Sequence, residues 1–96
     1  MTELDRIKII LAQLKPLLEE KFGVRSLGVF GSFVRDDARP DSDIDIIVDF
    51  NKPIGIEFID LAELLEKNLS KKVDLVSRKG IKDQYFQMIQ PEIFYV

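Results

Sequence analysis

The sequence predicts a small two-layer α/β (α+β) fold, a mixed β-sheet with helices on one face, and three observations lead there. The leading segment carries Leu4, Ile7, Leu11, Leu14 and Leu18 at spacings of three and four, the pattern of an amphipathic helix. The stretch 43–50 alternates, with Ile44, Ile46, Val48 and Phe50 on one side and Asp43, Asp45, Ile47 and Asp49 on the other. That is a strand with its core on one side only. A helical stripe then separates it from an apolar run at Val73–Val76. A strand–helix–strand unit of this kind implies a parallel pair.

Taken in order, the first helix meets Pro16, which lacks an N–H and predicts a kink, or a break with Pro16 opening a second short helix. Gly23 suits its C-terminal cap. Ser26–Phe30 reads as a buried strand that ends at Gly31. About a dozen residues with a helical turn join it to the alternating strand, which leaves the direction of that pairing open. Phe58, Leu61, Ala62, Leu65 and Leu69 form the next helical stripe, and Ile81, Tyr85, Met88 and Ile89 mark a last helix before Pro91. The tail Ile93–Val96 offers an added edge strand. If the helices cover the apolar face alone, the opposite face is open and acidic.

The chain has 96 residues, room for one domain spanning 1–96. A domain this small buries only about 60 to 65% of its unfolded surface, so modest stability and a homo- or hetero-oligomeric partner are expected. Fourteen basic against seventeen acidic residues give a net charge of -3, which disfavours direct DNA binding. There is no cysteine and no histidine. Disulfides, thiolate sites and histidine-ligated zinc are therefore excluded, and any metal is held by oxygen, as suits Mg²⁺ or Mn²⁺. The apolar runs are too short to span a bilayer and the N-terminus does not read as a signal peptide, so the expected location is cytoplasmic.

The stretch that carries chemistry runs from Gly31-Ser32 through Arg35 to Asp43 and Asp45. A period of two puts both aspartates on one face, with Cα atoms roughly 6.5 to 7 Å apart. Like charges that close are best tolerated with a cation between them, and Mg²⁺ on carboxylates and substrate phosphates is how phosphoryl-transfer sites are built. Asp74 stands alone in an apolar strand, where an unpaired buried charge is costly. Parallel pairing lets it lie beside Asp45, ligate metal and accept the proton of an attacking hydroxyl. Gly31 and Ser32 end a strand and open a helical turn, which presents free N–H groups and a hydroxyl to a phosphate. Arg35, one turn on, reaches either the triphosphate or a catalytic aspartate. Each feature alone has an ordinary reading: a capped turn, a solvated Asp-Ser-Asp, an Asp74 paired with Lys71, Lys72 or Arg78, a surface Arg35. Their joint order favours the site.

The stretch GSFVRDDARPDSDIDIIVDF resembles the signature of the DNA polymerase β-like nucleotidyltransferase superfamily, and specifically its minimal nucleotidyltransferase (MNT) group. That group's pattern is Gly-Ser-Phe-x-Arg-Gly, a short spacer, then Ser-Asp-x-Asp and a hydrophobic residue. The resemblance spans essentially the whole chain and implies the polymerase β-like fold. It implies that Asp43 and Asp45 bind two Mg²⁺ ions, that Asp74 completes the metal site, and that Gly31 and Ser32 hold the phosphates of the ATP substrate. It further implies a partner HEPN toxin, neutralised by attachment of AMP to a tyrosine. The chain departs from the pattern at Asp36, where the group has glycine, followed by Asp37; aspartate tolerates a left-handed backbone, but two extra charges near a triphosphate oppose binding. Two other readings remain at this point: a non-catalytic antitoxin that occludes its partner, and a small-molecule nucleotidyltransferase, a class that usually carries an additional domain.

Overall fold

Helix α1 (Glu3–Phe22) opens the chain in a computed structural model that describes residues 1–96. Its start is fixed by a reciprocal cap. The Asp5 N–H donates to the Thr2 hydroxyl at 3.0 Å, and the Thr2 N–H donates to the Asp5 carboxylate at 3.1 Å. Gly23, left-handed at φ 70°, closes the other end by donating to the carbonyls of Leu18 and Glu19. The helix runs unbroken through Pro16, so the expected break does not occur. Pro16 and Ala12 both face solvent, where a carbonyl without an N–H partner costs least. Meanwhile Ile7 and Leu11 before it, and Leu18 and Phe22 after it, stay on one buried stripe.

Six further elements follow: β1 (Val24–Phe30), a single helical turn α2 (Ser32–Arg35), β2 (Ile44–Phe50), α3 (Glu57–Leu69), β3 (Val73–Ser77) and α4 (Asp83–Ile89). A 3₁₀ turn (Gln90–Glu92) then leads into the two-residue strand β4 (Phe94–Tyr95). The sheet order is β3-β2-β1-β4. β2 and β3 are parallel across the α3 crossover, as expected. β1 and β2 are antiparallel, which settles the pairing that the sequence left open, and the tail does add an edge strand, antiparallel to β1.

Helices α1 and α3 cover one face. Ile7, Leu11 and Leu18 meet Leu27 and Val29 of β1, Ile44, Ile46 and Val48 of β2, and Leu61, Leu65 and Leu69 of α3 in one core. Each such side chain, fully withdrawn from water, contributes about 1.5 to 3 kcal/mol. Arg6 ties the two helices by donating to the Leu69 carbonyl at 2.8 Å, where α3 leaves its last carbonyls unpaired.

The other face has one addition to the expected plan. Phe30 and Ile47 point to it, and a small second cluster of these two with Ile89 is flanked by Ile81 and Phe86. Part of the acidic face is thus covered by α4. The stripe expected for that helix is corrected accordingly: Met88 is 77% and Tyr85 41% exposed, and Phe86 packs inward instead. In a helix of two turns, the apolar residues of the sheet beneath decide which side is buried.

Candidate active site

Register builds the site. Phe30 of β1 lies opposite Asp45 of β2, and Asp45 opposite Asp74 of β3, so the three form one row across the face opposite α1 and α3, with its Phe30 end buried under α4. Directly paired residues share a face of the pleat. The two carboxylates are close enough to act on each other. Asp45, half-buried, has its carboxyl raised to about 6, first by burial and then by the charge and hydrogen bond of Asp74, with Asp43 adding to it and Arg35 opposing. Asp74 itself is exposed rather than buried, and it pairs with none of Lys71, Lys72 or Arg78; Arg78 bridges Asp83 at 3.2 Å instead. Asp43 stands just before β2, exposed on the incoming loop.

Gly31 turns the chain out of β1 with φ 83° and ψ -153°, a conformation open essentially to glycine alone. There is a second reason for glycine. A Cβ here would sit 2.1 Å from the Asp45 Oδ2, so the bare backbone makes room for the carboxylate itself. Beyond it α2 begins. Val34 and Arg35 donate to the Gly31 carbonyl, while the N–H groups of Ser32 and Phe33 and the Ser32 hydroxyl have no partner within the chain. Asp36 caps this turn at φ 65°, so the aspartate that replaces the group's glycine does adopt the left-handed backbone.

Arg35 does not contact Asp43, Asp45 or Asp74. Its Nη1 donates to both oxygens of Glu92 at 3.2 Å, and its Nε donates to Asp37 at 3.3 Å. These bonds, Glu92 foremost, raise its already high pKa. Glu92 also accepts the Gly31 N–H at 3.2 Å. One carboxylate from the C-terminal segment therefore sits on both the turn and the arginine. Sequence reading missed Glu92, because nothing local in Gln-Pro-Glu connects it with a turn some sixty residues earlier.

The chemistry of this donor set suits a hard cation: every donor is oxygen, and Asp45 and Asp74 are held together at an evident electrostatic cost. Asp43 does not close onto that pair, and no group of three carboxylates is assembled as a ready metal centre. The face is open. A cavity of about 470 Å³ lies near the start of α1, lined among others by Thr2, Phe33, Arg39 and Lys71, and contains none of the three aspartates. No helix is long and apolar enough to cross a membrane.

Comparison with known proteins follows the same lines. A family model for the nucleotidyltransferase domain matches residues 11–93. Protein adenylyltransferase MntA of Thermococcus cleftensis is 45% identical over 97 residues, covering 100% of this chain and 98% of that protein. Among solved structures, a chain of a toxin–antitoxin crystal structure with AMP-PNP superposes with a TM-score of 0.75 at 24% identity, over 88% of this chain and 69% of that one. A chain from a complex of a tri-AMPylated Shewanella oneidensis HEPN toxin with an MNT antitoxin gives 0.69 at 22% identity, over 93% and 70%. At that identity these two likenesses speak for the fold.

Proposed function

Because this chain belongs to the nucleotidyltransferase domain family, we propose that residues 1–96 act as a single minimal nucleotidyltransferase domain that moves AMP from ATP onto a tyrosine of a HEPN-type toxin and so neutralises it. The observation that carries the reading is the Asp45–Asp74 pair, set in register beside the bare Gly31–Ser32 turn on one open face. Two things support the acceptor class. The Thermococcus cleftensis relative is a protein adenylyltransferase, and structures of the same fold include a tri-AMPylated HEPN toxin with its MNT antitoxin. An open face also suits a protein acceptor better than a small molecule, which needs walls.

The transfer is an in-line displacement at the α-phosphorus, with pyrophosphate leaving. The unpartnered N–H groups of Ser32 and Phe33, with the Ser32 hydroxyl, hold phosphate oxygens. Asp45 and Asp74, with Asp43 from the incoming loop, would hold Mg²⁺, and the ion would supply charge neutralisation on the transferred group. Asp74, exposed at the edge of the pair, takes the proton of the incoming phenol. Arg35 meets the triphosphate once it exchanges Glu92 for phosphate. A cytoplasmic location fits a reaction that draws on ATP and Mg²⁺.

Intact-mass spectrometry with ATP, Mg²⁺ and a HEPN toxin tests this. One or more AMP masses on the toxin, absent with Asp45→Asn, is the expected result. A stable complex with no mass gain on either protein would instead establish the occluding, non-catalytic antitoxin.

A further inference from the structure

Tyr85 belongs to the apolar stripe that marks α4 in the sequence, yet it lies outside the core. Its ring projects from α4 onto the acidic face, 41% exposed, and packs edge-on against Phe30 with centroids 6.5 Å apart and planes at 78°. Phe30 is the register partner of Asp45, and Asp45 of Asp74. The phenol therefore stands at the head of the row that holds both carboxylates. Its hydroxyl makes no hydrogen bond within the chain, although Phe30 fixes the ring that carries it. The hydroxyl also lies in the field of the site: burial first, then the charges of Asp45, Asp74 and Glu92, hold its pKa above the usual value. A fully buried tyrosine bonds its hydroxyl, whereas Tyr85 is part-exposed and its hydroxyl is left unbonded.

We propose that Tyr85 is itself an acceptor, and that the chain adenylylates this phenol in cis. The inference rests on the nucleotidyl transfer proposed above and adds a substrate to it. The Tyr85 Oη forms a bond to the α-phosphorus of a bound nucleoside triphosphate. The bond from that phosphorus to the bridging oxygen breaks, and pyrophosphate departs with the electron pair. The phenolic proton passes to a carboxylate of the pair and from there to water. The chain's other tyrosine is placed less well: Tyr95 lies opposite Gly28 on β4, two strands from Asp45 and displaced along β1 from Phe30. An AMP group on Tyr85 would occupy the ground where a partner's tyrosine must enter, so self-modification would limit the chain's own activity.

The test uses the whole chain with ATP and Mg²⁺, without and with a HEPN toxin, followed by intact-mass measurement and peptide mapping. Tyr85→Phe keeps the ring against Phe30, and Asp45→Asn with a mass tag is mixed in as a bystander. One AMP mass on the wild-type chain, mapped to Tyr85, kept in Tyr95→Phe and lost in Tyr85→Phe, with the tagged bystander unlabelled, is the expected result. AMP on the toxin with none on Tyr85 overturns this proposal and leaves the transferase reading standing. Label on the bystander overturns transfer in cis. AMP on neither protein overturns both.

Discussion

At Asp45, burial and the charges of Asp74 and Asp43 raise the carboxyl to about 6, against about 4 for an unfolded aspartate. A folded chain that binds a proton more tightly than the unfolded one is most stable below pH 4 with respect to this group. It loses that contribution as pH rises from about 4 through 6. The metal-free fold should therefore melt lower at pH 8 than at pH 5 by this contribution. Asp45→Asn removes the repulsion along with the chemistry. We expect it to abolish transfer, flatten the slope between pH 4 and 6, and raise the melting temperature at pH 8 without divalent metal by a few degrees, since each kcal/mol is worth about 4 to 8 °C in a domain this small. Calorimetry at pH 4, 6 and 8 reads all but the first; an unchanged midpoint would mean that Asp45 is not strained. Gly31→Ala acts in the opposite sense. Its Cβ would sit 2.1 Å from the Asp45 Oδ2 on a backbone at φ 83°, so a loss of more than about 1 kcal/mol in urea denaturation is expected, with transfer lost as well.

Two elements carry predictions of their own. The 3₁₀ turn places Glu92 on the Gly31 N–H and on Arg35, the position a phosphate would take. Glu92→Gln removes that negative charge and leaves Arg35 available, so we expect a non-hydrolysable ATP analogue to bind roughly three- to tenfold tighter, about 0.7 to 1.4 kcal/mol by titration calorimetry. Weaker binding would show that Glu92 orients the arginine rather than competing for it. In α1, Pro16 interrupts the hydrogen-bond ladder at an exposed position, while the buried stripe continues on either side of it. Pro16→Ala should stabilise the chain by about 1 to 3 kcal/mol in urea unfolding and leave transfer unchanged.

For the molecule as a whole, the small core under α1 and α3 must carry a face on which Asp45 and Asp74 repel each other. A divalent ion that binds only the folded state then stabilises by mass action. Mg²⁺ is expected to raise the melting temperature of the wild-type chain and to have little effect on Asp45→Asn, as differential scanning fluorimetry would read; an equal rise in both would place the ion elsewhere. Periodicity alone determined much of this architecture: the stripes of α1 and α3, the alternation of β2, and the parallel β2–β3 pair that brings Asp45 beside Asp74 were all legible, because they follow from repeats of 3.6 and 2 and from the handedness of a crossover. The Gly-Ser turn was legible too, since backbone sterics act over one or two residues, and the left-handed Asp36 followed from the glycine that the resembling pattern has there. Only the tertiary structure decided the antiparallel β1–β2 pairing, the side of α4 that is buried, the exposure of Tyr85 and the contact of Glu92 with Gly31 and Arg35. The Glu92 contacts join residues about sixty positions apart, and which groups meet is set by how the sheet and the last helix pack, not by any pattern that neighbouring residues record.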